Sequence, residues 1–167
     1  MFVKEDKEKP VAYPELHTLD EKLYISPAVA VGEATKAVAT MGKIALVNFG
    51  RGCAQLTAYD ESNNAIIDDD EECLDQFADR ADHFLIGLSK VVEDEAGDRQ
   101  VDMLMQSVPN FERIGDYATN FVELAQRLGT EEAIFSDMAK AELKILSSAV
   151  KEIIQITVDA FTKDDNE

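Results

Sequence analysis

Apolar residues recur three to four positions apart through most of the chain, and polar clusters break that rhythm at only a few places. From 27 to 58, Val31, Ala34, Val38, Met41, Ala45, Phe49 and Leu56 form one helical stripe, with Ala30, Ala37 and Ile44 beside it. Ser26-Pro27 reads as its start, Ser as N-cap and Pro at the first helical position, where a missing N–H does no harm. The polar cluster Asp60–Asn64 ends it. A second stripe over about 64–92 runs through Ile66, Ile67, Leu74, Phe77, Ala81, Phe84, Leu85, Leu88 and Val91, and Glu93–Asp98 makes the next turn. A third helix over about 98–128 takes Asp98 as N-cap and Gly129 at C′. Pro109 lies inside it, frees the carbonyl of Met105 and predicts a kink just before Glu112. Thr130 or Ser136 caps a fourth helix lasting to about 163, with Leu143, Leu146, Val150, Ile153, Ile154, Thr157, Val158 and Phe161 as its stripe. No strand pattern competes. The fold class expected is all-α, an up-down bundle of about four long antiparallel helices.

The bundle should occupy 26–163. Residues 1–25 carry Pro10, Pro14 and mixed charge, and read as a linker or N-terminal extension with short extended pieces lying on the bundle. Residues 164–167 read as a frayed tail. The glycines and alanines of the first helix imply close helix–helix approach, or a bend near Gly50–Gly52.

Composition narrows the function. With 167 residues, 46% of them hydrophobic, a single domain closes a sizeable core. Thirty-four acidic residues against 16 basic leave a net charge of −18, which repels phosphate backbones and anionic lipid, so nucleic acid is not an expected partner. Cys53 and Cys73 show no CxxC spacing and suit reduced, buried positions in a cytosolic chain. The charged start and the lack of a long apolar run predict a soluble chain with no direct membrane insertion.

Within the third helix Glu112, Asp116 and Asn120 fall on one face, beside a broad apolar arc that includes Phe111, Ala118 and Val122. The second helix carries Glu71, Asp75, Asp79 and Asp82 at similar spacing. Spacing alone means little, since a chain this acidic yields roughly seven such pairs by chance. Position says more. The short turn near 93–98 makes the two helices an antiparallel hairpin, where residues equally far from the turn lie level. Glu71 is then level with Asp116, and Asp75 with Glu112, to within about 3 Å at ~1.5 Å per residue. If the helices are rotated inward at about 8–10 Å separation, four carboxylates share one small volume. A hard cation such as Mg²⁺, Ca²⁺, Mn²⁺ or iron would relieve their repulsion. The alternative is a solvated acidic groove.

The run Phe111-Glu112-Arg113-Ile114-Gly115-Asp116-Tyr117-Ala118-Thr119-Asn120 resembles the ERIGDxAxN signature of PhoU-type phosphate-uptake regulators. Glu71-Glu72-Cys73-Leu74-Asp75 resembles the partner E(D)xxxD motif on the preceding helix of that family. Leu19–Lys22 and Ile25–Ala28, followed by Met41-Gly42-Lys43-Ile44-Ala45, are similar to the start of the cytoplasmic PhoU-like domain attached to bacterial Na⁺/phosphate cotransporters. The resemblance spans about 27–163. It implies a helical domain that holds a multinuclear metal cluster, often iron or zinc, and acts in phosphate homeostasis rather than catalysis. Carried over by position, its metal ligands are Glu71, Asp75, Glu112 and Asp116, with Asn120 beside them. The partners implied are a transporter membrane domain or a sister subunit, including a homodimer, at the cytoplasmic face of the plasma membrane. The family has two such repeats and this sequence has one; Asp159–Asp164 resembles the opening of a second.

Two rival readings stand beside this one. A structural bundle whose acidic groove binds a basic partner needs no metal. A ferritin-like oxidase needs Glu-x-x-His pairs, and none is present. His83 reads as a surface residue, Arg113 as the partner of a neighbouring carboxylate, and Gly115 as room for a metal or for close packing.

Overall fold

The structure, a computed structural model, describes residues 13–163. The expected extension before residue 13 and the tail 164–167 lie outside the described residues. A one-turn helix α1 (Glu15–Thr18) and a 3-10 turn (Glu21–Ile25) lead into four long helices, α2 (Pro27–Gln55), α3 (Asn64–Leu88), α4 (Glu95–Thr130) and α5 (Asp137–Lys163), with no strand among the described residues. None of these helices is long and apolar enough to cross a membrane.

α2 is the central rod and packs on α3, α4 and α5. Its buried face is mostly small (Ala30, Ala34, Ala37, Ala45), which lets neighbouring backbones come close. A Cβ placed on Gly52 would lie 2.6 Å from the Cα of Ala118, so α2 and α4 meet there backbone to backbone. Larger side chains from α3 and α4, among them Phe77, Phe84, Leu85, Leu104 and Val108, fill the remaining space. Each contributes about 1.5–3 kcal/mol by leaving water. Phe111 meets Phe161 edge-on at 5.9 Å between ring centres and ties α4 to α5.

Residues 13–25 pack on the bundle as helical turns rather than extended pieces. Leu16 is buried, Tyr13 lies edge-on to Phe77 at 5.9 Å, and the Tyr24 hydroxyl donates to the Phe84 carbonyl at 2.9 Å. Arg80 reaches back to the Leu16 carbonyl, also at 2.9 Å.

Several helix ends differ from the expected ones. Ser26 makes no side-chain cap, and Pro27 alone marks the start of α2. Asp94, not Asp98, caps α4 by accepting the Gly97 N–H at 2.8 Å, because the turn before it is shorter than the polar run suggested. Ser136 caps α5, accepting from Ala139 N–H at 3.2 Å. α4 runs unbroken through Pro109 and also through Gly129. The left-handed residue is Glu132 at φ 52°, where Glu132 N–H bonds to the Gly129 carbonyl and Ala133 N–H to the Leu128 carbonyl. That pair of bonds is a Schellman closure with Glu132 at C′. On α5 only Ile154, Val158 and Phe161 of the expected stripe are buried, while Leu146 and Ile153 face outward. The reason is position: α5 lies at the bundle's edge, packed mainly on α2 with Phe111 of α4 reaching Phe161, and that contact covers only a narrow stripe.

Candidate metal centre

α3 and α4 form the expected hairpin, and Leu74 packs directly against Gly115. A Cβ on Gly115 would collide with the Leu74 side chain, which is itself buried. Gly115 therefore serves packing, and that packing fixes the height of the acids flanking it. Glu71 and Asp75 sit either side of Leu74; Glu112 and Asp116 flank Gly115. One carboxylate oxygen from each of Glu71, Asp75 and Asp116 lies within 4.8 Å of the others. Glu71 and Asp116 are partly buried and Asp75 is exposed. Glu112, partly buried, stands one turn before Asp116 and outside this closest group of three. Asn120 lies one turn after Asp116 and is exposed.

The electrostatics follow from that crowding. Partial burial raises the pKa of Glu71 above its usual range, and the charges of Asp75 and Asp116 raise it further. Asp75 is raised by burial, then by Asp116 and Asp79. Glu112 is raised by burial, then by Asp116 and Asp75, so it feels the same negative field. Among the described residues no Lys, Arg or His forms an ion pair with any of the four. Arg113, expected to neutralise a neighbouring carboxylate, is exposed and makes no ion pair among the described residues. His83 lies 3.3 Å from Glu21, held by the N-terminal turn.

Three anionic oxygens, partly desolvated and uncompensated, match the chemistry of a hard cation. Oxygen ligands at about 2.3–2.6 Å on opposite sides of one ion stand about 5 Å apart, so the observed spacing admits a shared ion without rearranging the helices. With no nitrogen or sulfur in the set, the preference is for Mg²⁺, Mn²⁺, Ca²⁺ or iron over a structural zinc.

Sequence reasoning did not find the ion pair between Arg51 of α2 and Asp70 of α3. Asp70 is one of five consecutive acids, Asp68–Glu72, near the start of α3, and nothing in that run sets it apart. Consecutive helical residues point about 100° apart, so Asp70 turns toward α2 while Glu71 turns toward α4. Below that pair Asn48 is fully buried and donates to the Ile67 carbonyl at 3.1 Å. Both cysteines are free; burial, with Asp70 and Glu72 nearby, pushes the Cys73 thiol up to about 11.

Residues 38–125, 88 of the 167, match the PhoU domain. The matched span contains Glu71, Asp75, Glu112, Asp116 and Asn120 and stops before α5. No curated protein and no solved structure matches the chain.

Proposed function

The chain belongs to the PhoU domain family, and on that premise we propose that it is a metal-binding regulatory domain of phosphate uptake. Family membership points to regulation of phosphate homeostasis rather than to catalysis. The observation that carries the finer reading is the meeting of Glu71, Asp75 and Asp116 oxygens from two helices, with no ion pair to any of them among the described residues. In this reading those three residues hold a cation, and Glu112 and Asn120 extend the donor set along α4. A bound cation supplies positive charge where the carboxylates of α3 and α4 repel.

The consequence is mechanical. With the charge neutralised, α3 and α4 hold their packing at Leu74–Gly115; without it, the acids push that hairpin apart. Ion occupancy is thereby converted into the shape and stiffness of the bundle surface. We assign that surface to contact with the membrane domain of a Na⁺/phosphate cotransporter, or with a sister subunit, at the cytoplasmic face. Iron or zinc is the cation the family resemblance suggests, and the all-oxygen donors suit iron, Mn²⁺ or Mg²⁺ better.

Metal content of protein purified without chelator tests this reading, wild type against Asp75→Ala plus Asp116→Ala. At least one equivalent in the wild type and almost none in the variant is the expected result. Equal, negligible metal in two equally folded proteins would defeat it.

A further inference from the structure

We infer that Asn48 and Arg51 of α2 are positioning residues for the ion site, holding the turn of α3 that carries Glu71 at the height and rotation where it meets Asp75 and Asp116. The inference rests on the ion reading above. Ile67 and Leu74 are buried, but no residue of Asp68–Cys73 between them is, and half-buried Cys73 is the apolar contact of that stretch. Glu71 therefore sits where the core grips α3 least. Polar ties from α2 take over there. The Asn48 amide donates to the Ile67 carbonyl at 3.1 Å, and Arg51 pairs with Asp70. In an unbroken α-helix the carbonyl of residue 67 also accepts the N–H of residue 71, so Asn48 holds the same oxygen that the Glu71 backbone hangs from.

Packing alone does not call for an asparagine at this place. Asn48 is fully buried, and its Oδ1 has no donor among the described residues. A leucine would fill the space without stranding a carbonyl oxygen, which is costly to bury unpaired. What the asparagine adds is its bond to Ile67, which sets the height of the Glu71 turn. Arg51 sets the rotation. Asp70 and Glu71 are consecutive, so their side chains leave the helix about 100° apart, and fixing Asp70 on α2 turns Glu71 toward α4. Contacts that orient ligands in this way govern affinity, and losing one weakens metal binding by about 10–100-fold.

Two variants separate positioning from folding. Asn48→Leu deletes the amide tie but leaves the Ile67 carbonyl its helix bond, so no buried group loses its last partner. Arg51→Ala plus Asp70→Ala deletes the ion pair and one charge of each sign, so the net charge stays at −18. Mn²⁺ affinity is read from the paramagnetic resonance signal of the free ion; thermal midpoint and amide hydrogen exchange are measured in EDTA. Both variants should show a dissociation constant about tenfold above the wild type and faster exchange over 68–75. The metal-free midpoint of Asn48→Leu should equal or exceed the wild type's, an outcome that a merely structural asparagine does not give. If Asn48→Leu fails to fold, the double variant, altered at half-buried positions, decides. A folded variant that binds Mn²⁺ as tightly as the wild type overturns the inference and leaves the ion reading standing. So does weaker binding with exchange over 68–75 unchanged. A wild type that binds no Mn²⁺ defeats the ion reading itself, and this inference with it.

Discussion

Removing one charge from the carboxylate group strengthens the metal-free fold. Asp75→Asn keeps the side chain's volume, so the change is almost purely electrostatic. Asp75 faces Glu71 and Asp116 with oxygens within 4.8 Å. At a water-like dielectric each such pair repels by about 0.9 kcal/mol, and physiological salt roughly halves that. Two pairs leave about 1 kcal/mol to be relieved, or about 2–4 °C in Tm for a chain of this size. Thermal unfolding followed by circular dichroism in EDTA at pH 7 should show the variant melting higher. The margin should narrow in 1 M NaCl, where the Debye length falls to about 3 Å. With saturating Mn²⁺ the order should reverse, because the wild type gains binding free energy that the variant lacks. A variant that melts lower in EDTA, or a margin indifferent to salt, would refute the reasoning.

Other outcomes follow from the same structure. Glu71, Asp75 and Glu112 have folded pKa values raised above 4.5, 3.8 and 4.5 respectively. The stability they lend is fully present below about pH 4 and is lost as pH rises through the raised values. In EDTA the advantage of a Gln/Asn/Gln triple variant over wild type should therefore vanish near pH 4 and widen toward pH 7; a constant gap contradicts it. Gly115→Ala drives a methyl into buried Leu74 and should cost about 1–3 kcal/mol in urea unfolding while weakening Mn²⁺ binding. Glu132→Gly relieves a left-handed residue and should raise the unfolding free energy by about 1 kcal/mol, read as a higher urea midpoint at unchanged m.

The helices were legible because one side of each is nearly continuous in apolar residues. The hairpin rule also sets Glu71 level with Asp116, whose carboxylate oxygens lie within 4.8 Å of one another. The same rule, applied to the turn between α2 and α3, sets Arg51 nearly level with Asp70, so that ion pair was within reach of the sequence. Helix ends were harder. Asp94 and Asp98 both suit an N-cap, and only the length of the preceding turn decides between them. Gly129 looked like a C′ residue, yet the left-handed position fell three residues later on Glu132, an identity that intrinsic preference disfavours. The α5 stripe misled for a different reason. Periodicity reports that a face is apolar, not how many neighbours cover it, so Leu146 and Ile153 read as core although α2 leaves them bare.

Anomalous diffraction from a crystal of this chain grown with Mn²⁺ would test the ion reading most directly. A peak is expected between α3 and α4, bonded to carboxylate oxygens of Glu71, Asp75 and Asp116 at about 2.0–2.3 Å. A well-diffracting crystal with those three side chains ordered, turned apart and no peak between them would contradict it.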